Sequence, residues 1–90
     1  MFKRISILGS TGSIGVNALK VASHLREELE IVYLSANQNT DLLIEQALQF
    51  NPEAVCIVDE EFSEKVKDAL ISTDIEVLVG RKCLLELSQR

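Results

Sequence analysis

The chain has 90 residues, 47% of them hydrophobic, and a formal net charge of −5. That length supports one small domain or part of a larger one, and the hydrophobic fraction excludes a disordered chain. The charge is uneven: residues 1–40 carry four basic and three acidic side chains, whereas residues 41–90 carry five and eleven, which argues against a nucleic-acid surface with its basic stripe. No apolar run approaches the roughly 20 residues of a membrane span. The start, Met1-Phe2-Lys3-Arg4, has no signal-peptide cleavage pattern. Cys56 and Cys83 are unclustered and lie beside apolar residues. The expectation is two buried reduced thiols rather than a disulfide or a metal site, in a cytosolic protein.

The first predicted strand runs from about Arg4 to Leu8 and ends in Gly9-Ser10-Thr11-Gly12-Ser13-Ile14-Gly15. A strand, a tight glycine turn and a helix start are how α/β proteins build a site for a dinucleotide pyrophosphate. Gly9 allows the sharp turn, Gly12 lets backbone approach a phosphate, and Gly15 lets the helix pack closely on the first strand. Free N–H groups of Gly12, Ser13 and Ile14, at the positive end of the helix dipole, favour an anion. Thr11 and Ser13 add hydroxyls, with Ser13 a candidate N-cap.

The first helix begins near Ser13, with Ile14, Ala18, Val21, Ala22 and Leu25 on its apolar face and Asn17, Lys20, Ser23 and Arg26 opposite. His24, near its end, reads as a surface residue favouring the C-terminal dipole. Strand two spans Glu30 to Ala36, and Asn37-Gln38-Asn39-Thr40 lead into a helix from Asp41 to Phe50 that Asn51-Pro52 ends. Ala54-Val55-Cys56-Ile57-Val58 is an apolar run of the kind buried on both faces of a parallel sheet. Asp59 then caps a third helix, Glu60 to Ser72, with Phe62, Val66, Ala69 and Leu70 inward and its acids on a solvated face. Strand four is Glu76–Val79, Gly80 ends it, and a last helix starts near Arg81 with Leu84, Leu85 and Leu87. The order β-α-β-α-β-α-β-α predicts an α/β fold. It is an incomplete, Rossmann-like parallel sheet of four strands, with right-handed crossovers and helices on both faces. The place of strand four in the sheet does not follow from periodicity.

The end of strand two usually chooses the nucleotide, with an acid binding the ribose 2′-hydroxyl of NAD and a basic residue accommodating the 2′-phosphate of NADP. Here that place reads Ser35-Ala36-Asn37-Gln38-Asn39. No acid repels a 2′-phosphate, three amides can donate to it, and no Arg or Lys clamps it. These residues favour NADP over NAD. The same residues also serve to turn the chain and cap the second helix.

Several stretches together resemble the 1-deoxy-D-xylulose 5-phosphate reductoisomerases. They are Ile7 to Gly15, Leu34-Ser35-Ala36, Asn39, Leu42-Leu43, Glu45-Gln46-Ala47, Phe50-Asn51-Pro52, Val58 to Glu61 and Glu76 to Gly80. The resemblance implies the N-terminal part of an NADP-binding Rossmann-like domain over residues 1–90. Catalytic and C-terminal domains would lie outside it. It implies NADPH as cofactor, held by Thr11, Gly12, Ser13, Ile14, Asn37, Gln38 and Asn39. In this family the loop after strand two usually reads Gly-Lys-Asn or Gly-Arg-Asn, so Asn37 replaces the glycine and Gln38 the basic residue.

The activity implied is rearrangement and reduction of 1-deoxy-D-xylulose 5-phosphate to 2-C-methyl-D-erythritol 4-phosphate, in non-mevalonate isoprenoid biosynthesis. A divalent metal, Mg or Mn, belongs to the full-length enzyme. Its ligands, like every catalytic residue, are expected outside this segment, and 90 residues alone should be inactive. A small sugar phosphate, no nucleic acid, no membrane, a homodimer, and the bacterial cytoplasm or plastid stroma complete the expectation. Two other readings share the glycine turn: a different NAD(P)-dependent short-chain or semialdehyde reductase, and a non-catalytic nucleotide-sensing module.

Overall fold

A computed structural model describes residues 3–25 and 28–89. Its elements are β1 (Lys3–Ile7), α1 (Ser13–His24), β2 (Leu29–Ala36), α2 (Thr40–Phe50), β3 (Ala54–Ile57), a 3₁₀ turn (Glu60–Phe62), α3 (Ser63–Ala69), β4 (Glu76–Val79) and α4 (Lys82–Ser88). All strand pairs are parallel, in the order β1-β2-β3-β4. The fourth strand therefore lies beyond β3, and the other edge of β1 carries no strand among the described residues.

The two faces of the sheet have separate cores. Val55 and Ile57 of β3 face Leu19 and Ala22 of α1, Leu43 and Ala47 of α2, and Val66 and Leu70 at α3. Ala54 and Cys56, the alternate residues, face Cys83 and Leu87 of α4. This is the period of two expected of a strand buried on both sides. Three crossovers stepping in one direction put α1, α2 and α3 on one face, as right-handed connections require, and α4 occupies the other. In β2, Ile31 and Leu34 share the first core although they are three apart. The cause is an irregularity: Ile5 pairs with Ile31 and Ser6 with Tyr33, so Val32 is the extra residue of a bulge.

Three expectations need correction. On α1 the buried residues are Gly15, Leu19 and Ala22, whereas Ile14 is 85% and Val21 58% exposed, and Ala18 and Leu25 are exposed too. The helix carries two apolar stripes about 100° apart, and periodicity cannot say which one meets the sheet. Arg26, placed on its polar face, lies outside the described residues. The third helix is a 3₁₀ turn followed by a short α-helix, and Ala69 points to solvent.

The cysteines are not reduced thiols. Cys56 and Cys83 are both buried, as expected, but form a disulfide with Cα atoms 5.9 Å apart. They are 27 residues apart in the chain, and only the return of α4 across β3 brings them together. Such a cross-link is worth about 3.5 kcal/mol by loop closure. The pairing removes the cysteine argument for a reducing compartment. Among the described residues no helix is long and apolar enough to cross a membrane.

Candidate nucleotide-binding site

The glycine turn leaves β1 at Gly9, whose φ of +71° is a left-handed conformation that side chains rarely adopt. Buried hydrogen bonds fix the turn. The Gly9 N–H donates to Ser35 Oγ (2.8 Å), the Ser10 N–H to the Ser35 carbonyl (2.8 Å), and Gln46 Nε2 to the Ser10 carbonyl (2.9 Å). Ser10 is fully buried. Gly15 packs beneath: a Cβ there would lie 2.5 Å from the Gly9 carbonyl oxygen and 2.6 Å from Ser10 Cα. Its close approach is thus to the turn itself rather than to the body of β1.

Helix α1 starts at Ser13 with Gly12 as N-cap and no side-chain cap. Ser13 is therefore the first helical residue, not the cap. The Gly12 N–H donates to the Gly9 carbonyl (3.0 Å), so it is spent within the turn. The first helical bond runs from the Val16 N–H to the Gly12 carbonyl, which leaves the N–H groups of Ser13 and Ile14 ahead of the ladder.

Across the carboxyl end of β2 the sequence alternatives coexist. Asn39 caps α2, its side chain accepting from the Leu42 N–H (3.4 Å). Gln38 Nε2 donates to Asp59 Oδ2 (3.1 Å), while Asp59 Oδ1 accepts from the Glu61 N–H (3.1 Å). Two adjoining clefts open at this end of the sheet. One, of about 480 Å³, is lined by Leu8, Gly9, Thr11 and Gly12 on one side and Ser35 to Asn39 with Val58 and Leu84 on the other. The second, of about 1060 Å³, extends from Asn37 and Gln38 over Asp59, Glu60 and Glu61 to Gly80, Arg81 and Leu84.

Of the expected site residues, Thr11, Gly12, Asn37, Gln38 and Asn39 thus share one cleft. Ser13 and Ile14 stand exposed in the first turn of α1 and do not line it. Sequence reasoning gave no site role to Ser10, Ser35 and Gln46, which hold the turn, to Leu84, which lines both clefts, or to Arg81, which lines the second one. The Ser35 and Gln46 stretches were visible in the resemblance, but nothing local says that they meet at Ser10.

A model of the 1-deoxy-D-xylulose 5-phosphate reductoisomerases matches residues 5–90. The chain belongs to the 1-deoxy-D-xylulose 5-phosphate reductoisomerase family. It is 46% identical over 88 residues to the reductoisomerase of Chloroherpeton thalassium, covering 98% of this chain and 23% of that protein. To that of Acetivibrio thermocellus it is 49% identical over 80 residues, covering 89% and 20%. Among solved structures, the Zymomonas mobilis reductoisomerase in complex with NADPH superposes with a TM-score of 0.92 at 28% identity, covering 96% of this chain and 23% of that one. A reductoisomerase in complex with NADPH, fosmidomycin and magnesium gives 0.90 at 25%, covering 97% and 22%. The chain therefore spans about a quarter of the reductoisomerases it matches, and its fold is that of their α/β, Rossmann-like part. Among the described residues no three His, Cys, Asp or Glu side chains are grouped to hold a metal ion.

Proposed function

We propose that this chain is the N-terminal part of the NADPH-binding domain of a 1-deoxy-D-xylulose 5-phosphate reductoisomerase. The observation that carries the reading is the glycine turn bolted to Ser35, opening on the cleft that Asn37 to Asn39 line. The donor set suits a dinucleotide. The Ser13 and Ile14 N–H groups and the Thr11 and Ser13 hydroxyls would hold the pyrophosphate, with Gly12 giving it room. Asn37, Gln38 and Asn39 would hold the adenosine ribose.

When bound, NADPH supplies the hydride. The work of these residues is to bind and orient it. The substrate phosphate, the Mg or Mn ion and the groups that handle protons are assigned to the rest of the full-length enzyme.

Three features favour a larger domain. Among the described residues no strand lies beside the outer edge of β1, the stripe Ile14, Ala18, Val21 and Leu25 is exposed, and α4 has changed face. A right-handed crossover leaving α4 steps in the opposite direction and adds its strand beside β1. That would make β1 the switch point where such sheets bind their ligand. The bacterial relatives favour a cytoplasmic enzyme over a plastid one, and the resemblance carries the homodimer.

The test uses the longest translation product that contains this chain. It should oxidise NADPH only with 1-deoxy-D-xylulose 5-phosphate and a divalent metal, and Gly12→Asp should abolish nucleotide binding in calorimetry. Metal-independent reduction of other substrates would defeat the reading. Saturable NADPH binding with no turnover, from a frame ending at Arg90, would favour the sensing module instead.

A further inference from the structure

We propose that Arg81 selects the 2′-phosphate of NADPH in this chain, acting from the end of β4 in place of a basic residue after β2. The inference rests on the NADPH-binding reading above and names the residue that gives that site its selectivity. A 2′-phosphate needs a nearby cation, most often an Arg. The loop after β2 holds none, and its Gln38 amide is already donated to Asp59.

Register shows where a substitute stands. Ala36 pairs with Ile57, and Ile57 with Val79. Just past these strand ends, Gln38, Asp59 and Arg81 line the same cleft. The ladder runs one residue beyond the strands, the Val58 N–H donating to the Ala36 carbonyl (2.9 Å) and the Gly80 N–H to the Ile57 carbonyl (3.0 Å), and at Gly80, with φ of +92°, the chain turns to place Arg81 at the start of α4.

The electrostatics leave one candidate. The larger cleft is walled by three carboxylates, Asp59, Glu60 and Glu61, and Arg81 is the cation lining it among the described residues. Arg4 is engaged at the opposite end of the sheet with Glu30 and Glu53, and Lys65 pairs with Asp41. Arg81 is exposed and, among the described residues, has no ion-pair partner. Both Asp59 oxygens accept hydrogen bonds, from Gln38 and the Glu61 N–H, which partly offsets the charge between Gln38 and Arg81. A phosphate in this cleft would meet the Arg81 guanidinium, and without Arg81 the charged groups lining it among the described residues are all carboxylates.

Calorimetric titration of the longest translation product containing this chain, with NADPH and separately with NADH, tests this. Arg81→Gln should weaken NADPH binding about tenfold and leave NADH affinity unchanged, because only the 2′-phosphate distinguishes the two. Adding Gln38→Arg to that variant should restore NADPH binding. A thermal melt matching the parent's confirms that the exposed substitution leaves the fold intact. Unchanged NADPH affinity in Arg81→Gln, or an equal loss for both nucleotides, overturns the role of Arg81 alone. Failure of the unsubstituted protein to bind either nucleotide overturns the NADPH-binding reading, and this inference with it.

Discussion

The two ends of the cleft are built in opposite ways. At the glycine turn the proposed binding groups are backbone, held by hydrogen bonds to Ser35 and Gln46 and by the Gly15 contact. At the Gln38–Asp59–Arg81 end they are side chains, largely in solvent, on the segments that leave β2, β3 and β4. Backbone held in this way presents one geometry to any nucleotide, so it contributes affinity common to all. Exposed side chains carry charge and can be exchanged without disturbing the core, so on the proposed reading discrimination between nucleotides would fall to them.

The comparison breaks most sharply at Gly15. A valine there drives its Cβ into the Gly9 carbonyl and Ser10 Cα, and backbone atoms cannot move aside as a flexible side chain can. Gly15→Val should cost about 3 kcal/mol or more in urea unfolding and abolish binding of NADPH and NADH alike. A smaller break comes from Ser35→Ala, which removes the acceptor of the partly buried Gly9 N–H bond (2.8 Å to Ser35 Oγ). The expected loss is about 1–2 kcal/mol in the same assay, with both nucleotides weakened by one factor. An NADPH-specific loss there would erase the division between the two ends.

The smallest effect sharpens the comparison from the other side. Asp59→Asn removes a negative charge between Gln38 and Arg81 while keeping a side chain able to cap the 3₁₀ turn. NADPH affinity should rise about threefold, NADH affinity should stay the same, and the gain should fade as salt is added. A gain for both nucleotides would place the adenine end under steric rather than electrostatic control.

Much of this was legible in the residues, because the signals are local. Alternation and apolar runs place β2, β3 and β4 within a residue or two of their observed bounds. Asn51-Pro52 stops α2 where it ends, and Asn39 and Asp59 cap as short polar side chains do. The glycine spacing announces the turn, since its backbone conformation is a property of the glycines themselves.

Nonlocal placement was not legible. The exposed stripe of α1 is as regular as the buried one, so only docking on the sheet separates Ile14 from Leu19. The cleft that brings Arg81 and Gln38 together joins residues 43 apart in the chain, and the Cys56–Cys83 pair depends on α4 crossing to the second face. The sequence by itself determined a parallel α/β chain with a phosphate-ready turn, through propensity, capping and glycine geometry. Strand order, the choice of buried face, the disulfide and the makeup of the cleft's far wall were decided only by tertiary structure, because each joins residues whose nearness no local pattern records.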